Sequence, residues 1–281
     1  MSQIKSVILF CLLCFSFTVA AVLPEDEKVP GGVAIIKLPK KYSQQNTPPS
    51  VYFDDVKVAV LKDKDGKNTD WYAIVGIPLT MQPGIANIET RQGNNRHESI
   101  PFQIGDKAYT EEKLFFKENK LVTPNPELAA KIKEETKHLE AVFSSWSDKR
   151  LENFQLKIPV KGRISGEYGS KRILNGELRS QHRGLDFAAP IGTAIMAAQS
   201  GKVIDVGNYV MTGNTVVLDH GQGFKTIYCH LHTVSVKLGE VLEANQKLGT
   251  VGKTGRATGP HLHFGVSLNN VRVSPKLFFV N

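Results

Sequence analysis

Seventeen glycines fall between Gly162 and Gly265, at intervals too short to leave room for a helix of ordinary length. Glycine inside a helix costs about 1 kcal/mol relative to alanine, yet it supplies the backbone angles of tight turns without strain. Short runs rich in Val, Ile, Leu and Phe separate these glycines, which is the pattern of short antiparallel strands joined by turns. The chain is therefore expected to be mainly β. An antiparallel β-sheet domain occupies residues 154–281, a smaller β-rich domain residues 30–120, and a helical linker residues 121–153. At 281 residues, with 41% apolar and 22% charged side chains, the composition excludes a disordered or fibrous chain.

In the upstream domain Val33-Ala34-Ile35-Ile36-Lys37-Leu38, Val56-Lys57-Val58-Ala59-Val60-Leu61 and Trp71-Tyr72-Ala73-Ile74-Val75-Gly76-Ile77 are strand-like, with a turn cluster at Lys62-Asp63-Lys64-Asp65-Gly66-Lys67-Asn68. Asp54-Asp55, and Asp63 with Asp65, invite a calcium reading. The spacing lacks the terminal Glu of a calcium loop, so solvated turns are expected. His97 lies in a polar run and reads as a loop residue. No cluster of catalytic groups occurs here, and the domain reads as a positioning or regulatory module. In the linker, Asn125 can cap a helix that Pro126 begins, and Leu128, Ile132, Leu139, Val142, Phe143 and Trp146 recur at helical spacing. His138 is assigned to its solvated side.

Residues 1–21 read as a signal peptide: Lys5, the apolar run Val7 to Phe15, then Thr18-Val19-Ala20-Ala21. The alternative, an uncleaved anchor, is disfavoured because the run is short for a membrane span. The protein is expected to be periplasmic or otherwise exported. Cys11 and Cys14 leave with the signal, so Cys229 alone remains and no internal disulfide can form. The formal net charge of +8 suits an anionic polymer such as cell-wall peptidoglycan. Nucleic acid is not the expected partner, because neither an Arg-rich helix nor an aromatic-studded basic strand is present.

Three segments carry chemistry. In Gly259-Pro260-His261-Leu262-His263-Phe264-Gly265, strand alternation sends His261 and His263 to one face and Leu262 and Phe264 to the other. In Gln181-His182-Arg183-Gly184-Leu185-Asp186, a straight strand would hold His182 and Asp186 about 13 Å apart, so the pair can share an ion only if the chain bends, which Gly184 allows. In Tyr228-Cys229-His230-Leu231-His232, alternation is expected to place Tyr228, His230 and His232 on one face. Cys229 and His230 would then point apart and could not act as a nucleophile and base. Cys229 is read as a core residue, and His220, at a strand end, as structural. Two histidines and a carboxylate around one ion, with a position left for water, is the ligand set of a catalytic zinc. Pattern alone leaves open whether His230 or His232 approaches it.

His182-x-x-x-Asp186, Tyr228-x-His230-Leu231 and Thr254-Gly255-x-x-x-Gly259-Pro260-His261-Leu262-His263-Phe264 stand in the order found in the lysostaphin/LytM-type zinc metallopeptidases, which residues 162–275 resemble. The upstream domain and helix resemble the amino-terminal region of exported members. The resemblance implies one zinc ion held by His182, Asp186 and His263, with His230 and His261 beside it as catalytic residues and His232 a bystander. It makes Arg172 and Asn175 candidates for the groove wall only. It also implies a groove for an extended peptide and hydrolysis of peptidoglycan cross-links or stem peptides by a DD-endopeptidase type of enzyme. A monomer is expected, with room for a regulatory or inhibitory partner. Two rival readings are a ligand-poor regulator of other wall enzymes, which the complete ligand set argues against, and a purely structural zinc site, which would need a closed four-ligand shell.

Overall fold

The structure, a computed structural model, describes residues 23–62, 70–92, 95–115, 121, 123–151, 153–178 and 181–280. The expected signal segment, most of the turn cluster after Lys62 and the side chain of His97 lie outside the described residues. The fold is mainly β, as the glycine spacing predicts, with largely antiparallel sheets and one long helix.

Upstream, β1 (Val33–Lys37), β2 (Ser50–Phe53), β3 (Val56–Lys57), β4 (Ala59–Lys62), β5 (Trp71–Gly76), β6 (Gly84–Gln92) and β7 (Asn95–Ile104) form two sheets, ordered β1-β5-β4 and β3-β2-β6-β7. Asp54 and Asp55 are the two-residue turn joining β2 to β3. Both take positive φ, 46° and 62°, as a hairpin turn matched to strand twist requires. The β1-β5-β4 sheet is buried on both faces, which explains why its strands are continuous apolar runs. Ala34, Ile36, Ala73 and Val75 pack into the upstream core with Val51, Phe53 and Ile88. Val33, Ala59, Leu61 and Ile74 face the other way, into the core of the downstream half. The Asn269 side chain clasps β5, accepting from the Gly76 amide at 2.7 Å and donating to its carbonyl at 3.1 Å.

Next come β8 (Glu111–Leu114) and α1 (Pro126–Ser144). Asn125 caps α1, its side chain accepting from the Leu128 amide. Leu139, Val142 and Phe143 press on Val217, Ile227 and Cys229, and the buried Lys225 amine donates to the Phe143 carbonyl at the helix end. His138, expected to be solvated, pairs instead with Asp205 at 2.8 Å while staying half exposed.

Downstream follow β9 (Arg163–Gly166), β10 (Lys171–Leu174), β11 (Glu177–Leu178), β12 (Leu185–Ala188), β13 (Ala194–Met196), β14 (Gly201–Tyr209), β15 (Gly213–Gly221), β16 (Phe224–Val234), β17 (Val241–Leu242), β18 (Lys247–Val251), β19 (His261–Leu268) and β20 (Val271–Val273). Ten of these strands make one sheet along the path β17-β14-β15-β16-β19-β12-β9, with β13, β18 and β20 attached to it. One face carries the large core of Leu185, Phe187, Tyr228, Leu262 and Phe264. The opposite face meets α1 and, further along, the histidines. Asn175 and Gly176, at positive φ, turn β10 into β11, and β10 also pairs in parallel with β8, setting Glu112 beside Arg172.

His220, at the end of β15, is fully enclosed. Its Nδ1 donates to the Ser200 carbonyl and its Nε2 accepts from Thr226 Oγ1, both at 2.9 Å, so the ring is neutral and structural as expected. Burial pushes its pKa down to about 4. As pH falls below the ordinary histidine value of about 6.5, the unfolded chain takes up a proton that the folded chain refuses, so stability falls until about pH 4. We expect this residue to contribute up to about 3 kcal/mol to that loss. Urea unfolding of the full chain and of His220→Asn at pH 7 and pH 4 should show a smaller pH-dependent loss in the variant, and parallel losses would refute the assignment.

Candidate metal centre

Three short pieces of chain build the centre. β12 and β19 run antiparallel with Asp186 opposite His263 and Ala188 opposite His261. Cross-strand partners share a face, so the carboxylate and both imidazoles project to the same side. Leu262 and Phe264 are fully buried on the other side, as the alternation predicts. His182 arrives from the stretch before β12, which bends at Gly184. That glycine has a second role that sequence does not reveal. A Cβ on it would lie 2.5 Å from His263 Cε1 and 2.6 Å from Nε2, so the imidazole occupies the space glycine leaves.

His182 Nε2, His263 Nδ1 and Asp186 Oδ1 converge. His182 Nε2 is 3.0 Å from both of the others, and His263 Nδ1 is 2.8 Å from the carboxylate oxygen. Among the described residues this is the group of His, Cys, Asp and Glu side chains placed to hold a metal ion. Nδ1 of His182 faces the Glu167 carbonyl at 2.8 Å, and a carbonyl only accepts, so the proton of a neutral ring sits there and Nε2 presents a lone pair. That lone pair faces a carboxylate oxygen at 3.0 Å, a juxtaposition that calls for a cation between them. Tetrahedral ligands about 2.0–2.1 Å from zinc sit about 3.3 Å apart, so the triangle accepts the ion after widening by a few tenths of an ångström.

Burial works to raise the Asp186 carboxyl, but the close His182 and His263 rings outweigh it and hold the pKa well below the carboxylate range. Burial pushes His263 down to about 4, against the pull of Asp186. Asp186 also accepts from Arg172 through Oδ2.

His230 and His261 stand beside this triangle. His261 donates from Nδ1 to the Gly259 carbonyl at 2.8 Å and points Nε2 toward Asp186 Oδ1, 3.9 Å away. His230 donates from Nδ1 to the Thr254 carbonyl at 2.7 Å, and its ring centre is 4.7 Å from that of His261. Burial, reinforced by His261 and His263, pushes the His230 pKa down to about 3. Each ring thereby commits its Nδ1 proton to a backbone carbonyl.

Here the expected alternation fails. Tyr228 is in the core, its hydroxyl accepting from the Ala198 amide, and Leu231 lies in the same core. His232 is exposed and does not belong to the group placed to hold an ion. Between Tyr228 and Leu231, β16 holds one residue more than β15 opposite it, and His230 takes a left-handed φ of 64°. This β-bulge turns His230 out of the core to join Cys229 on the side of the histidines, its amide satisfied by the Thr212 carbonyl at 2.8 Å. The reason given for dismissing Cys229 as a nucleophile is thereby corrected. It is inert because it is buried under α1, where burial raises its thiol pKa to about 12. Sequence reading missed Glu112 and the contact of Arg172 with Asp186. Glu112 lies 60 residues before Arg172, and nothing local marks a surface-type Glu as facing a site.

This mainly β fold thus carries a group of side chains able to hold a metal ion, and comparison with known proteins gives the family. Residues 180–275 match peptidase family M23 and residues 26–107 match the M23 N-terminal domain. A Pseudomonas aeruginosa crystal structure assigned to peptidase M23 is 37% identical, with a TM-score of 0.73 over 90% of this chain and 95% of that one. The chain belongs to peptidase family M23. Peptidoglycan DD-endopeptidase ShyB of Vibrio cholerae is 45% identical over 89 residues, 32% of this chain and 21% of that protein. Peptidoglycan DD-endopeptidase ShyA of the same organism is 37% identical over 130 residues, 45% of this chain and 30% of that protein. The matched stretches thus span less than a third of these curated relatives.

The packing of His263 against Gly184 gives a direct test. Gly184→Ala should displace the ring and abolish stable zinc uptake, read as zinc per chain after dialysis, while circular dichroism shows the β fold retained. Full zinc content in a folded variant would contradict this geometry.

Proposed function

We propose that this chain is a zinc-dependent endopeptidase that hydrolyses peptide cross-links or stem peptides of peptidoglycan in cell-wall remodelling, as an exported, periplasmic monomer. In this reading residues 1–21 are removed on export, residues 30–120 and the helical linker 121–153 position or regulate, and residues 154–281 form the peptidase domain. The observation that carries it is the meeting of two imidazole nitrogens and one carboxylate oxygen within 3.0 Å, with two more imidazoles alongside. Membership of family M23 and the names of the V. cholerae relatives support the choice of peptidoglycan as substrate.

His182 Nε2, Asp186 Oδ1 and His263 Nδ1 would hold the ion, which when bound acidifies water and polarises a peptide carbonyl. The chain's own residues handle protons. His261, at the start of β19 and more open to solvent than the buried His230, accepts the proton of the attacking water at Nε2. The resulting imidazolium then donates to the developing oxyanion and to the leaving amine. His230 resists protonation in its buried setting and keeps a neutral ring beside His261, so that a single proton is shuttled rather than two stored. The Nδ1 bonds to the Gly259 and Thr254 carbonyls fix the tautomer of each ring, which keeps both Nε2 atoms available.

Purified peptidoglycan incubated with the zinc-loaded chain should release new amines and shorter peptides. His261→Ala and His230→Ala should each lower the rate by about 10²–10⁴-fold, the usual contribution of a positioned acid–base group. A chelator should abolish cleavage and added zinc restore it. Undiminished cleavage by His261→Ala would remove its assigned role, and no cleavage by the zinc-loaded chain would overturn the enzyme reading.

A further inference from the structure

We propose that Glu112 and Arg172 act as a positioning pair for Asp186, which makes β8 a working part of the metal centre although it precedes α1 in the chain. The inference rests on the metal reading given above. Asp186 uses its two carboxylate oxygens differently: Oδ1 faces His182 and His263, and Oδ2 accepts from Arg172 Nη2. Arg172 in turn donates from Nε to Glu112 Oε2 at 3.2 Å, and the same oxygen is 3.3 Å from Ser170 Oγ. The backbone builds this chain of contacts, since Arg172 and Glu112 are register partners in the parallel pairing of β10 with β8.

Space is kept for it as well. A Cβ at Gly166, the register partner of Asp186 on β9, would come within 2.6 Å of Asp186 Oδ2 and 3.0 Å of Arg172 Nη2. All three charged side chains are largely shielded, at 24%, 19% and 8% exposed for Glu112, Arg172 and Asp186.

Two physical consequences follow. A guanidinium is a rigid planar fork, so one nitrogen fixed on Glu112 sets the direction of the other and locks the torsion of the Asp186 carboxylate, with Oδ1 aimed at the ion. A cation so close to a divalent ion also weakens its binding, and the Glu112 carboxylate offsets that charge. Groups that orient and neutralise around a metal ligand commonly change metal affinity by about 10–100-fold when removed.

The test uses the full chain, with zinc affinity measured by competition against a fluorescent chelator. Glu112→Gln should weaken zinc binding about tenfold. The melting temperature of the metal-free protein should stay unchanged, and at saturating zinc kcat on peptidoglycan fragments should fall while KM holds. In an Arg172→Met background, Glu112→Gln should weaken zinc binding clearly less, because its orienting action passes through the guanidinium. Unaltered zinc affinity in Glu112→Gln, or an equal penalty in both backgrounds, would overturn the pair. Absence of zinc binding by the unsubstituted chain would overturn the metal reading and this inference with it.

Discussion

Asp186 stands directly opposite His263 across the antiparallel pair of β12 and β19, and this register cannot slip without dismantling the molecule. A shift by one residue would send the carboxylate and imidazoles into the core and expose Leu185, Phe187, Leu262 and Phe264, all now buried. Each of those side chains adds roughly 1.5–3 kcal/mol of burial relative to exposure. The apolar face of two strands therefore fixes the polar geometry of the other, and the centre inherits its precision from packing that makes no contact with it.

Given that frame, the remaining groups are held mostly by backbone. His182, His230 and His261 each donate Nδ1–H to a carbonyl, from Glu167, Thr254 and Gly259 in turn. Backbone carbonyls, with no charged partner, thus take the Nδ1 proton of all three rings. The carboxylate is the expensive group to bury, and it accepts from Arg172 and lies within 3.0 Å of His182 Nε2 and His263 Nδ1. The upstream half joins the same construction. Its β1-β5-β4 sheet contributes Val33, Ala59 and Ile74 to the downstream core, Gly76 is clasped by Asn269, and β8 completes the sheet beside Arg172.

What the sequence revealed and what it withheld divide along the regularity of the backbone. His261-Leu262-His263-Phe264 could be read residue by residue because β19 is a regular strand with one apolar face. The bend at Gly184 was legible because two candidate ligands four apart can meet only if the chain turns there. Tyr228 to His232 was misread because a bulge breaks the period of two, and no glycine marks it: the left-handed residue is His230 itself. The strands β1, β4 and β5 were legible in their apolar runs, whereas their burial on both faces was not read, because the partner of the second face lies far along the chain. Glu112 was illegible, since its significance comes from a parallel pairing across 60 residues and a helix.

Three protein ligands would leave the site open and two further histidines free for proton transfer. Zinc K-edge X-ray absorption on the protein loaded with one equivalent of zinc measures it most directly, because the scattering pattern counts imidazoles. Two imidazoles and one carboxylate at about 2.0–2.2 Å, with a light oxygen completing the shell, are the expected result. Four imidazoles around the ion would place His230 and His261 among the ligands and contradict it.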